Sequence, residues 1–168
     1  MAMPQVLKNM NLFVDGRGHA GKVDEVTPPK LALKTEEHRA GGMDAPVDLD
    51  MGMEKLMLDY TLSEYDKEVL KLFGIKEGAA VQHTLRGAME AEDGAVVPVI
   101  INVRGMLTEV DMGTWKPGEK SQMKCSMNCR YYKMTIGGEV IHEVDVENMI
   151  RIINGTDQLA AHRDALGL

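Results

Sequence analysis

Met123-Lys124-Cys125-Ser126-Met127-Asn128-Cys129-Arg130-Tyr131 alternates from end to end. Met123, Cys125, Met127, Cys129 and Tyr131 are apolar or aromatic, and the four residues between them are polar. A period of two predicts a β-strand with one dry face and one wet face. The strand extends over 121–134 and ends at Gly137-Gly138, a hairpin turn. Residues 139–147 return, with Val140, His142, Val144 and Val146 opposed to Glu139, Glu143, Asp145 and Glu147. Asn154-Gly155 turns again, and 157–165 closes the chain as a short helix before Gly167.

The same reading works backwards. Residues 112–120, with Trp115, Pro117 and Gly118, form a loop. Residues 96–111, rich in Val and Ile, make a long strand. Glu92-Asp93-Gly94 joins it to a strand over 80–89, and this hairpin is central. Ser63 as N-cap, Asp66 three residues on, and Tyr65, Val69, Leu72 and Phe73 at helical spacing predict a helix that Gly74 stops. It covers one side of the sheet. Leu56, Leu58 and Tyr60 alternate with Lys55 and Asp59, and Met57 breaks the pattern. Val47, Leu49 and Met51 alternate with Asp48 and Asp50. Residues 36–46 show no strong period and read as a long loop, uncommon without a functional reason or disorder. Residues 31–34 weakly suggest a strand, interrupted before by Pro28-Pro29. Leu12-Phe13-Val14 and Asp15-Gly16 read as strand and turn, with 23–26 as the return strand. The sum is a mainly β, antiparallel domain with one flanking helix and a terminal one. Its long amphipathic strands leave edges that a barrel or a neighbour must cover.

The chain has 168 residues, enough for one domain with a proper core. Its 26 acidic and 19 basic residues give a formal charge of -7, which argues against coating nucleic acid by charge. Fourteen methionines suit a soft core or a large interface. No segment reads as a secretory signal or approaches the roughly 20 apolar residues of a membrane span. Two cysteines make no disulfide framework, so synthesis in a reducing cytoplasm is expected.

The chemistry-bearing residues form no recognisable catalytic set. Cys125 and Cys129 lie roughly 13 Å apart on one strand, too far to share a metal, and read as buried thiols. His19, His38, His83, His142 and His162 are scattered without HxH or HExxH spacing. His83 and His142 sit on apolar strand faces and are expected to be hydrogen-bonded and partly buried. Ser63, Ser121 and Ser126 lack a nucleophile elbow. Gly16-Arg17-Gly18-His19-Ala20-Gly21 has dinucleotide-loop spacing, but the following residues read as strand where that site needs a helix N-terminus. Glu109 with Asp111, and Glu143, Asp145 and Glu147, read as solvated faces or an acidic patch. No catalytic residue, cofactor or metal is expected, and the protein is expected not to be an enzyme.

Scattered motifs nevertheless keep a characteristic order: Met3-Pro4 to Leu12-Phe13; Pro29-Lys30-Leu31; Arg39-Ala40-Gly41-Gly42-Met43; Ala45-Pro46-Val47-Asp48. Leu107, Glu109, Asp111, Gly113, Trp115, Lys116, Gly118, Glu119 and Tyr131-Tyr132-Lys133 follow. Ile153-Asn154-Gly155, Asp157-Gln158-Leu159, Arg163 and Leu166-Gly167-Leu168 complete the series. In this order they resemble the major tail tube proteins of P2-type contractile-tailed phages and the tube proteins of R-type bacteriocins. The resemblance covers essentially the whole chain. It implies an antiparallel β-barrel or sandwich with a flanking helix. It implies hexameric rings that stack into a hollow tube inside a contractile sheath. The tube is driven through a target envelope and conducts DNA in a phage or ions in a bacteriocin. Implied partners are further copies of the chain, sheath, tape measure, baseplate and tail terminator, with DNA passing unbound. The place implied is a virion or bacteriocin particle assembled in a bacterial cytoplasm.

The resemblance also implies one domain over 1–168, a packing arm over 1–11 and an inter-ring stacking loop over about 35–50. Its candidate contacts are Glu37, His38, Arg39, Ala40, Gly41, Gly42, Met43 and Asp44. Lys124, Ser126, Asn128 and Arg130 are a candidate lumen face. The alternatives are a monomeric β-barrel hydrolase using His83 or His142 with carboxylates, and a small-ligand or peptide binding module. Ring or filament formation separates the structural reading from both.

Overall fold

The computed structural model describes residues 1–76 and 78–168. The elements in order are β1 (Val6–Val14), β2 (Arg17–Gly18), β3 (Val23–Thr27), β4 (Leu33–His38), β5 (Val47–Met53), β6 (Leu56–Leu62), α1 (Lys67–Leu70), β7 (Val81–Glu90), β8 (Val96–Asp111), β9 (Met123–Ile136), β10 (Glu139–Asp145), β11 (Ile150–Ile153), β12 (Thr156–Asp157) and α2 (Ala160–Leu166). One antiparallel sheet runs β12-β11-β10-β9-β8-β7-β1-β2, while β4 and β5 form a separate pair.

The alternating stretch organises the molecule. β8 pairs along one edge of β9. On the other edge, the first half of β9 takes β6 and the second half takes β10. β9 thus passes from one layer of a sandwich into the other. Between the layers lie Met123, Cys125, Met127 and Cys129 of β9 with Leu56, Leu58, Tyr60 and Leu62 of β6, all buried. Leu12, Val14, Ile101, Val103 and Leu107 close the core from the other strands. Removing such side chains from water is the main stabilising term of the fold.

Tyr131 is not a core residue. It is half-buried, whereas Tyr132 is 3 % exposed. Arg104 pairs with Tyr131 and the next residue, Gly105, pairs with Cys129, so Arg130 is an extra residue on β9. This β-bulge flips the phase of every later side chain. A second irregularity, at Leu107/Glu109, leaves Thr108 extra on β8 and restores the register. Between the two, the backbones of β8 and β9 come so close that a Cβ on Gly105 would sit 1.9 Å from the Asn128 carbonyl oxygen.

Three local expectations change. The predicted flanking helix is one turn, Lys67–Leu70, capped by Asp66, whose Oδ1 accepts from the Glu68 N–H at 2.8 Å. Ser63 is not the cap, because its hydroxyl donates instead to the Lys22 carbonyl at 3.0 Å. The strand over 23–27 does not return along β1; it pairs with β6, and the two-residue β2 pairs with β1. Finally, 36–46 is not all loop. β4 runs to His38 and pairs with β5, leaving a short tip between them.

Candidate assembly surfaces

The histidines and cysteines show what the interior can do chemically. His83 is fully buried, and its Nε2 lies 3.1 Å from the Tyr60 hydroxyl. It faces a phenol rather than a carboxylate, with no path for substrate. Burial lowers its pKa to about 4, and the nearby His19 adds to the depression. His19, also buried, is the histidine that meets a carboxylate: its Nδ1 is 3.4 Å from Asp66 Oδ2. Nothing in the local sequence signals this pairing, since 47 residues separate the two. His142 is half-buried and His38 and His162 are exposed.

Acid should therefore weaken the fold. Between pH 6.5 and 4 the unfolded chain takes up a proton at residue 83 that the buried imidazole refuses. Stability from this residue is complete above pH 6.5 and falls as the pH drops toward 4, by about 3 kcal/mol. Urea unfolding at pH 7, 5.5 and 4 checks this. A His83→Gln variant should lose that part of the pH slope.

Cys125 and Cys129 are free and buried. Desolvation raises their thiols to about 11 and about 12, so neither is a ready nucleophile. Among the described residues no three His, Cys, Asp or Glu side chains gather as a metal site. Replacing both cysteines with Ala should cost about 1–2 kcal/mol each through lost packing and leave metal content unchanged. Calorimetry and elemental analysis of the double variant test both points. The glycine-spaced segment 16–21 contains β2 and turns, and β3 follows it rather than a helix.

The hairpin β4–β5 is the most conspicuous surface. Every residue of both strands except Met53 is exposed. Val47 and Leu49 stand in register with His38 and Glu36, while Asp48 stands opposite Glu37. An isolated two-stranded hairpin is marginal in water. The tip over 39–44 is held only locally among the described contacts: Arg39 Nε donates to the Met43 carbonyl at 3.3 Å and the Met43 N–H to the Ala40 carbonyl at 3.1 Å. The root is anchored better. Asp50 accepts from the Gly52 N–H at 2.8 Å and from Arg151 at 2.9 Å, and these bonds hold its carboxyl below the usual range. Of the expected contact set, Glu37 and His38 thus lie on β4, and Arg39, Ala40, Gly41, Gly42, Met43 and Asp44 form the tip.

The polar face of β9 is split. Lys124, Ser126 and Asn128 alternate with buried neighbours and point outward. The Ser126 hydroxyl donates to Asp59 at 2.6 Å. Lys124 and Ser126 share a cleft with Glu25, Asp59, Glu109 and Asp111, so four carboxylates surround one amine. Arg130, at the bulge, instead binds Glu147 at 2.7 Å.

The family model described as phage tail tube protein FII matches residues 4–167. The chain belongs to this tail tube family. It is 37 % identical over 172 residues to the tail tube protein of Escherichia phage P2, with all of both chains covered. It is 31 % identical over 154 residues to the major tail tube protein of Serratia phage KSP20, covering 89 % of this chain and 88 % of that one. Among solved structures, a chain of the PVC extracellular contractile injection system, in its extended sheath–tube complex, superposes with a TM-score of 0.61. That match has 10 % identity and covers 79 % of this chain and 91 % of the other. A chain from the tube-terminating cap of the anti-feeding prophage superposes with a TM-score of 0.60 at 10 % identity, covering 80 % and 94 %. These likenesses agree with the mainly antiparallel β architecture. The tail tube fold therefore carries its exposed hairpin and its acidic outer cleft on a core without an accessible reactive group among the described residues.

Proposed function

We propose that copies of this tail tube protein form hexameric rings that stack into the hollow inner tube of a contractile tail. The observation that carries the reading is the hairpin β4–β5, whose strands are exposed except at Met53 and which its own subunit holds at the root, through Asp50 and Arg151. A neighbouring subunit supplies the missing cover, and residues 35–50 act as the stacking element. The arm over 1–11 packs on neighbours through residues 1–5, because Val6 onward already belongs to β1. The whole chain works as one domain and as a structural part rather than an enzyme.

The outer face with Lys124, Ser126 and Asn128 is the proposed lumen wall. Its surplus of carboxylates supports this, since DNA carries a charge every ~1.7 Å and even weak attraction would sum over a genome. Arg130 joins that wall only as a pair neutralised by Glu147. Sheath, baseplate and terminator contacts follow from the same reading, supported by structural relatives drawn from a sheath–tube complex, a baseplate and a tube cap. A tape measure fills the lumen during assembly, in a bacterial cytoplasm. DNA then passes unbound, or ions pass in a bacteriocin.

Negative-stain microscopy of concentrated protein at physiological salt tests the proposal. Sixfold rings or stacks of rings are expected. A monodisperse monomer under those conditions overturns it.

A further inference from the structure

We infer that α2 is a hinged strap, which swings away from the sheet as a unit while the sandwich stays folded, and that Arg163 is the pin that holds it shut beside an apolar cavity. The device belongs to the single subunit and does not depend on the tube reading.

α2 has little of its own to hold it. It is seven residues long, and every one of them except Arg163 is exposed. An isolated helix this short is marginal in water. Leu159 stands at the N-cap without a side-chain hydrogen bond, so the N–H groups of the first turn lack a cap. Only the far end is closed. Gly167 takes the left-handed conformation, φ 74°, and the Leu168 N–H donates to the Arg163 carbonyl at 3.1 Å.

Arg163 supplies the tether. Its Nη1 donates to the Met149 carbonyl at 2.7 Å and its Nη2 to Asp157 Oδ2 at 2.6 Å. Met149 immediately precedes β11, and Asp157 lies on β12. Asp157 is itself fixed, since its Oδ1 accepts from the N–H groups of Leu159 at 3.0 Å and Arg151 at 3.4 Å. The Gln158 N–H donates to the Arg151 carbonyl at 2.8 Å, so the backbone is held up to 158 and the hinge falls at Leu159. Among the described residues no other α2 side chain makes a hydrogen bond or an ion pair with the sheet.

The same pin shapes the rim of the cavity. Met149 sits at φ 52°, a left-handed conformation that residues other than glycine rarely adopt, and Arg163 holds its carbonyl there. Met149 and Leu159 line a cavity of about 600 Å³ together with Met53, Leu56, Val144 and Cys129. Releasing Arg163 therefore frees α2 and relaxes this part of the rim together. A segment held by so few contacts opens at a free energy well below that of global unfolding.

The native Cys129 thiol reports the opening. It is 4 % exposed and lines the cavity, whereas Cys125 is 1 % exposed and lies outside it. Full-length Arg163→Gln and Asp157→Asn chains are compared with wild type in dilute solution. The rate of Cys129 alkylation by a small maleimide and the amide exchange of residues 160–168 are both read by mass spectrometry. In both variants each rate should rise about tenfold, the loss expected for one hydrogen bond to a charged group. Cys125 should stay unmodified, and the exchange of β8 and β9 should not change. Asp164→Asn, an exposed α2 position away from the pin, should behave as wild type. Wild-type rates in both variants overturn the inference. So does a loss of protection in β8 and β9 together with α2, because α2 would then open only with the core.

Discussion

Deleting residues 37–44 should leave a folded subunit that builds no tube. None of these residues belongs to the core, and their hydrogen bonds are local or to the facing strand of the same hairpin. The subunit therefore loses little on their removal, and shortening a loop changes its closure entropy only slightly. Assembly loses much more. A stacked ring must order the hairpin and recover that cost through contacts with the next copy. Circular dichroism and thermal unfolding of the variant should match wild type, while microscopy shows no filaments at any protein concentration. Tubes of wild-type length and stability from the deletion variant would show that the hairpin is not the stacking element.

Gly105→Ala should be among the most damaging single substitutions in the chain. The new Cβ would lie 1.9 Å from the Asn128 oxygen and 2.9 Å from the Cys129 Cα, both backbone atoms of β9. Neither can rotate away. The two longest strands must separate at the bulge, and the core between Leu107 and Met127 opens with them. Overpacking of this kind costs about 3 kcal/mol, which lowers Tm by about 6–12 °C in a chain of this size. Gly87→Ala is the control. Its Cβ would meet Leu7 Cδ1 at 2.8 Å, the end of an exposed and flexible side chain that swings aside. The control should cost well under half as much. Equal melting temperatures for the two variants would show that the bulge tolerates a side chain.

The fate of individual elements explains how far the chain was legible. β8 runs over 96–111 as its Val and Ile content predicts, because a strand packed on its neighbours is written in consecutive residues. The alternation of β9 correctly places Met123, Cys125, Met127 and Cys129 inside. It fails at Tyr131, because a bulge depends on which residues the partner strand brings opposite, and that partner, Arg104, lies 27 positions earlier. The helix after Ser63 fails similarly. Its capping pattern is locally plausible, but Ser63 finds a better acceptor in Lys22, 41 positions earlier. Of the candidate surfaces, the odd composition of 36–46 was visible, whereas its form as a paired hairpin depended on weak strand signals in Leu33–His38.

By itself, the sequence determined the β class, the succession of the strands β7 to β10, the dry face of β9 and membership in the tail tube family, but not the short strands β11 and β12. These follow from short-range periodicity, turn residues and motif order, all properties of neighbouring positions. Only the tertiary structure decided that β9 passes between two layers, that Tyr132 replaces Tyr131 in the core, that His19 meets Asp66, and that Gly105 tolerates no side chain. Each of these depends on the distance between groups far apart along the chain, set when the whole sheet closes and its backbones come into contact.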